Sequence, residues 1–351
     1  MDTHPADSRL LELDLLRGQA IVAVVTLHAG TRFYVAADSA SVDGLFAIAL
    51  RCIAIIGVPV FLMLSAATLT LAYPTAIHSP AALARFFTRR LRRVVVPYVS
   101  WSLLLLVISG ASAWSLGGVA RALATGSASY QYYFVPLICQ FYLLFPLFQP
   151  LFRLSDRRAV ALLLAAASMV TTMLWWRYRP AYFWEPFWLS AWLVYPFVGG
   201  LLAARLAAAR TLARRRSRVW LVATGAAWLV LLALSSDQSV REHTVFAPTM
   251  YQPLVVALSL AAAALLFGID THATIHARGI AHMFREIGQH SYGIFLVHAL
   301  ALRGVSFCTG RWFVSGLGSA IALVDLTACL ALSYLAIRTL SRIPVARTLL
   351  T

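Results

Sequence analysis

Stretches of about 20 mostly apolar residues, the length a helix needs to cross the hydrocarbon core of a bilayer, recur along the entire chain. No polar domain interrupts them. Of 351 residues, 61% are hydrophobic and 12% charged, whereas a soluble domain averages about 25% charged and about 45–50% apolar residues. That much apolar surface cannot be hidden inside one soluble core of this size, so it requires lipid as solvent. Length alone would suggest roughly two soluble domains, but the recurrence of apolar runs overrides that expectation. The expected fold is an all-α, polytopic transmembrane helix bundle of about ten helices. The spans lie near 13–34, 45–72, 94–113, 131–152, 159–176, 188–206, 219–236, 249–268, 288–308 and 313–337. Residues 1–351 form a single integral-membrane domain in this reading, with short cytoplasmic tails at 1–12 and 341–351.

The net charge of +16 does not indicate nucleic-acid binding. Every basic side chain other than histidine is an arginine, and the arginines cluster in short gaps between apolar runs, which is how topology signals are arranged. Arg85, Arg89, Arg90, Arg92 and Arg93 follow the second run; Arg153, Arg157 and Arg158 follow the fourth. Arg205, Arg210, Arg214, Arg215, Arg216 and Arg218 follow the sixth, and Arg338, Arg342 and Arg347 lie in the tail. The alternate gaps are arginine-poor, with Asp38 and Asp43 in one and Asp237, Arg241 and Glu242 in another. This alternation puts both termini in the cytoplasm. Cys52, Cys139, Cys308 and Cys329 all lie in apolar runs without CxxC spacing, so neither a disulfide framework nor a metal site is expected. The N-terminus carries Asp2, Asp7, Arg9 and Glu12 and lacks a basic n-region. The first run is therefore expected to be a retained signal-anchor helix.

Ionisable residues within a bilayer are expensive and face partners or water-filled cavities. The first run opens Leu13-Asp14-Leu15-Leu16-Arg17-Gly18-Gln19 and continues to His28. Eleven residues separate Arg17 from His28, about three helical turns, so both occupy one face some ~16 Å apart along the axis. Asp14, three residues before Arg17, can pair with it. Each residue also has an ordinary reading: Arg17 as a snorkelling arginine, His28 as a satisfied core histidine. The second run holds Arg51 and Gly57-Val58-Pro59-Val60-Phe61, where Pro59 reads equally as the kink of a packing helix. Arg89-Arg90-Leu91-Arg92-Arg93 needs no role beyond topology, yet several guanidiniums together can hold phosphates through charge-assisted bonds. Gln140 and His298 lie in otherwise apolar runs, where packing is their default reading, and Asp325 in the last run calls for a partner. Glu185, near Arg177 and Arg179, reads as a surface ion pair.

These pieces resemble, in order and spacing, the membrane-bound acyltransferase-3 family, which O-acylates surface polysaccharides and related sugars. Leu13-Asp14-x-Leu16-Arg17-Gly18 followed by His28 resembles the family's LDxLRG opening with its Arg-x10-His signature. Gly57 to Ser65 resembles G-V-P-L-F-F-x-x-S, and Arg90 and Arg93 before Pro97-Tyr98 fall where its R-x-x-R-x-x-x-P-Y arginines fall. Tyr133-Phe134 to Gln140-Phe141-Tyr142, Tyr195 to Gly200, and Ser291 to His298 resemble three further segments. The chain departs from the pattern at Tyr133 (Trp in the family), Ala66 (Gly) and Ile138 or Cys139, where many members carry Glu. The missing Glu points to a subgroup resembling adhesin-polysaccharide and lipid-linked-sugar acyltransferases.

The resemblance implies a multi-pass enzyme of the bacterial cytoplasmic (inner) membrane that moves an acyl group, acetyl by expectation, from acyl-CoA to a sugar hydroxyl of a surface glycan or exopolysaccharide precursor. Acetyl-CoA or another acyl-CoA is a co-substrate, with no permanently bound cofactor and no metal. The other partners are a carbohydrate or lipid-linked glycan acceptor and the lipid bilayer, with no nucleic acid. His28 and Arg17 are the expected catalytic residues, His28 as general base or transient acyl carrier. Arg90 and Arg93 are expected to bind the donor, with Asp14, Ser65, Gln140, Tyr142 and His298 in support. Two rival readings remain at this point: a transporter or exporter of polysaccharide units, and a non-catalytic membrane sensor.

Overall fold

The computed structural model describes residues 5–36, 41–110, 115–154, 157–178, 188–242, 250, 252–273, 279–310 and 318–343. All regular structure among them is helical. In chain order the helices are α1 (Pro5–Ala29), α2 (Thr31–Ala36), α3 (Val42–Ala54), α4 (Gly57–Ala72), α5 (Pro80–Ile108), α6 (Leu116–Thr125), α7 (Phe134–Arg153) and α8 (Arg158–Tyr178). After a 3-10 turn at Leu189–Trp192 come α9 (Val194–Ala204), α10 (Leu206–Arg215), α11 (Ser217–Glu242), α12 (Pro253–Ala273), α13 (Ile280–Gln289), α14 (Ser291–Thr309) and α15 (Gly318–Leu340).

Eight helical runs among the described residues are long and apolar enough to cross a membrane. They are α3 with α4 as one stretch (Val42–Ala72), α5, α7, α8, most of α11, α12 to Asp270, α14 and α15. The other two expected spans take different forms. At 25 residues, α1 extends for about 37 Å, but it carries Glu12, Asp14 and Arg17 in its apolar part. The sixth expected span is the 3-10 turn followed by α9, which has 11 residues and so reaches only about half-way through a hydrocarbon core. Helix α9 ends at Arg205, whose backbone (φ −123°, ψ 42°) leaves the helical region.

Local chemistry explains where other boundaries moved. The run near 45–72 breaks at Ile55–Ile56, because Pro59 in the first turn of α4 has no N–H to continue the ladder from α3. Helix α5 begins at Pro80 rather than near 94. The Ser79 hydroxyl accepts from the Ala82 N–H at 3.2 Å and Pro80 occupies the first turn, a strong start signal. The arginine cluster is therefore helical, not a loop.

Packing divides the chain into two compact units. The first comprises 1–61 and 207–335. Within it α1 packs on α13, α14, α3 and α12, and α11 packs on α12 and α3. The α1–α13 crossing rests on two glycines. A Cβ on Gly18 would stand 1.9 Å from the Phe284 carbonyl oxygen, and one on Gly288 would stand 1.8 Å from that of Asp14. The glycine of the Leu-Arg-Gly opening is thus a contact point between backbones. Phe33 and Tyr34 of α2 bury against Ala47 of α3 and Ala322 of α15. Ile48 and Cys52 of α3, with Ile55 just past its end, meet Leu231, Val255 and Leu258 of α11 and α12.

The second unit comprises 62–206 and 336–351. There α7 packs on α5 and α9, and α9 packs on α8. A ladder of Phe141, Phe145, Phe148, Phe152 and Phe197 forms its core, with neighbouring ring centroids 4.9–6.5 Å apart. Residues 179–187, which include Arg179 and Glu185, lie outside the described residues.

Candidate active site: a histidine pair and an arginine-lined cavity

In the first unit the last turn of α1 presents His28 to His298 on α14. The two rings stack with centroids 5.4 Å apart and planes 23° from parallel. His298 is fully buried, and His28 is half-buried. Nδ1 of His298 lies 2.7 Å from the Phe295 carbonyl oxygen and 3.2 Å from that of Ile294. A carbonyl oxygen only accepts, so Nδ1 carries the proton and donates, which leaves Nε2 as a lone-pair acceptor. That Nε2 is buried and has no hydrogen-bond partner among the described residues. The Cys329 thiol of α15 donates to the His298 carbonyl at 3.3 Å and ties the site to the last helix. Two imidazolium charges 5.4 Å apart would repel by about 3 kcal/mol at an effective dielectric near 20. The pair is therefore suited to hold one transferred proton, not two.

Tyr34 and Arg51 complete the surroundings. The Arg51 guanidinium sits 5.1 Å from the Tyr34 ring centroid, and its charge acts on the His28 ring. Tyr34 is 2% exposed, and its hydroxyl donates to the Thr26 carbonyl at 3.4 Å.

Arg17 is not brought to His28, because an unbroken helix holds them apart. It pairs with Asp14 at 2.6 Å, three residues away. This part of α1 also holds two longer-range bonds. Glu12 Oε2 accepts from Arg210 at 2.7 and 2.9 Å, and the Gln19 amide donates to Asp270 at 3.0 Å. No periodic pattern marks these partners, which lie about 200 residues or more downstream. Asp325 accepts from the Thr309 hydroxyl at 2.8 Å.

The second unit contains a cavity of about 860 Å³, within the usual size range of small-molecule sites. Arg85, Arg89, Arg92 and Arg93 line one wall. Their i, i+4, i+7, i+8 spacing places all four on one face of α5. The opposite wall is the segment from Tyr73 to Ile77, and no acidic residue is among the lining. Gln149, 1% exposed, holds that segment. Its amide donates to the carbonyls of Tyr73 (2.5 Å) and Thr75 (2.9 Å), and its oxygen accepts from the Ile77 N–H at 3.1 Å. Of the two arginines singled out by the motif, Arg93 lines the cavity. Arg90 instead lies over the Tyr73 ring, 5.8 Å from its centroid, with Nε buried and unbonded.

The remaining expected residues also lie in the second unit. Gln140 donates to the Pro136 carbonyl and accepts from the Leu189 N–H at 3.2 Å, anchoring the 3-10 turn. Tyr142 follows Phe141 on α7, their rings 6.2 Å apart. Ser65, on α4, accepts through its carbonyl from Thr68 at 3.2 Å. Arg51, Arg89, Arg92 and Gln149 were not among the expected site residues. The i, i+4, i+7, i+8 pattern of the cavity arginines was a usable signal, whereas Gln149 had none.

Neither a curated protein nor a solved structure matches the chain. The family model described as an acyltransferase domain, that of the acyltransferase-3 family, matches residues 10–338. That range takes in the histidine pair, Arg51 and the arginine cavity. This match, together with eight apolar helices of membrane-crossing length, places the chain in the acyltransferase-3 family of membrane acyltransferases.

Proposed function

We propose that the protein is an acyl-CoA-dependent O-acyltransferase of the bacterial inner membrane, with both termini cytoplasmic. In this reading it moves an acetyl group onto a sugar hydroxyl of a surface-glycan or exopolysaccharide precursor. The observation that carries the reading is the stacked His28–His298 pair, whose buried Nε2 lone pair on His298 lacks a partner among the described residues. Such a pair, kept from water, is a base waiting for a proton.

The chemistry follows from that base. The acceptor hydroxyl oxygen attacks the thioester carbonyl carbon while its proton passes to the imidazole pair. The tetrahedral intermediate collapses, the C–S bond breaks, and the proton leaves with the CoA thiol. Arg89, Arg92 and Arg93 bind donor phosphates through charge-assisted bonds, and Arg85 adds positive charge at the cavity edge. Arg90 braces Tyr73 in the facing wall. Arg17, bonded to Asp14 through one guanidinium nitrogen, keeps its remaining N–H groups for an anion at the cytoplasmic end of α1.

The reading is tested by mass spectrometry of surface glycan from a deletion strain complemented with wild type or His28→Ala. The expectation is that acetyl groups vanish on deletion, return with wild type and fail to return with His28→Ala at equal protein abundance. Full acetylation in the His28→Ala strain refutes it.

A further inference from the structure

Arg51 lies in the Val42–Ala72 run, nine residues beyond its start, which is about 13 Å along the helix. A hydrocarbon core is about 30 Å thick, so a side chain at that depth is not an ordinary headgroup-snorkelling arginine. Neighbouring Cys52 is fully buried and bonded to Ser235 at 3.8 Å, so α3 is packed at this level. Arg51 is half-buried, and withdrawing even part of a guanidinium from water usually calls for a carboxylate. Among the described residues the Arg51 side chain makes neither an ion pair nor a hydrogen bond, and its ring contact is the face of Tyr34. That ring is fixed from below by the Thr26 carbonyl and wedged against Gly30, where an added Cβ would stand 2.3 Å from it. The guanidinium is thus held with its N–H donors uncommitted among the described residues, over a ring that leans on Thr26 and Gly30, which stand on either side of His28 in the chain.

A cation beside a base that must accept a proton is a liability unless the reaction creates a negative charge there. Acyl transfer does so. When the hydroxyl attacks, the carbonyl π electrons move onto oxygen, and the resulting oxyanion needs donors aimed at it before it forms. We propose that Arg51 is a catalytic residue of this site, donating its N–H groups to the oxyanion of the tetrahedral intermediate. As C=O re-forms, the C–S bond breaks and the thiolate takes the proton held by the histidine pair. Tyr34 acts as the positioning residue that aims the guanidinium. This inference rests on the acyl-CoA reading above.

The test uses the full chain in membrane vesicles from an acetylating strain. Transfer of label from [1-14C]acetyl-CoA into the glycan fraction is followed for wild type, His28→Ala, Arg51→Met, Arg51→Lys and Arg51→Ala. Loss of one oxyanion donor lowers kcat by about 10²–10³-fold. Arg51→Met is expected to show that loss with KM for acetyl-CoA unchanged, and Arg51→Lys to recover part of kcat. Exogenous methylguanidinium is expected to rescue Arg51→Ala, which a purely structural cation would not permit. Arg51→Met within threefold of wild-type kcat, a loss confined to KM, or failure of both Met and Lys variants to accumulate as folded protein each overturns the assignment. A wild-type chain that transfers no label overturns the acyl-CoA reading itself. An active wild type, an inactive His28→Ala and an active Arg51→Met remove only Arg51.

Discussion

Adding one carbon to Gly18 or Gly288 should loosen the crossing that carries α1. A new Cβ would lie 1.9 Å from the Phe284 oxygen at Gly18, or 1.8 Å from the Asp14 oxygen at Gly288, and Cβ atoms essentially never approach another heavy atom closer than 3.0 Å. The obstacle in both cases is a helical carbonyl, which cannot swing aside without breaking its own ladder. The helices must therefore separate by about 1 Å, a gap that forfeits about a quarter to a half of each dispersion well along the seam. Overpacking of this kind costs about 1–3 kcal/mol. For thermal melting of detergent-solubilised protein that corresponds to a drop of roughly 2–6 °C. Gly225 and Gly304 provide controls, since a Cβ at either meets nothing within 4 Å. Alanine there should leave the midpoint unchanged or raise it slightly, since helical glycine costs about 0.5–1 kcal/mol relative to alanine. One displacement of α13 makes room for both new carbons, so the Gly18→Ala/Gly288→Ala double variant should lose about 0.5–3 kcal/mol less than the sum of the singles. Single variants as stable as the Gly225→Ala control would refute the crossing, and strict additivity would refute the shared seam.

The other predictions concern the site. His298→Phe preserves the stacked shape but removes the Nε2 acceptor, so transfer should fall by about 10²–10⁴-fold at unchanged expression and melting temperature; normal turnover removes His298 from the chemistry. Gln149→Leu leaves two carbonyls and one N–H of the cavity wall without partners, at about 1–3 kcal/mol per buried group, and should weaken acetyl-CoA binding in calorimetry while His28 chemistry at saturating donor persists. Arg93→Ala should weaken acetyl-CoA binding and reduce its salt dependence, and Arg90→Ala should do less, because Arg90 faces Tyr73; equal effects would refute that division.

What could be read from the sequence was whatever is local to one helix. Apolar run length marked the spans, and the interval from Arg17 to His28 fixed their shared face. The start of α5 is written in Ser79-Pro80, and arginine favours helices, so the arginine-rich gap between apolar runs is itself helical. The first and sixth spans depart from expectation because the polar residues of α1 and the shortness of α9 follow from tertiary partners. Glu12 waits for Arg210 and Gln19 for Asp270, and neither pairing has a spacing to detect. The meeting of His28 with His298 is of the same kind, a consequence of how α1 and α14 pack. Arg51 was visible as a charge in an apolar run, but its lack of an acidic partner among the described residues emerged only in three dimensions.

The most direct measurement is a single-turnover reaction of the purified protein with [1-14C]acetyl-CoA and a lipid-linked glycan acceptor, comparing wild type with His28→Ala. The account requires label to reach the acceptor in step with CoA thiol release for wild type, and neither product to form with His28→Ala despite unchanged donor binding. Label transferred at the wild-type rate without the imidazole would contradict it.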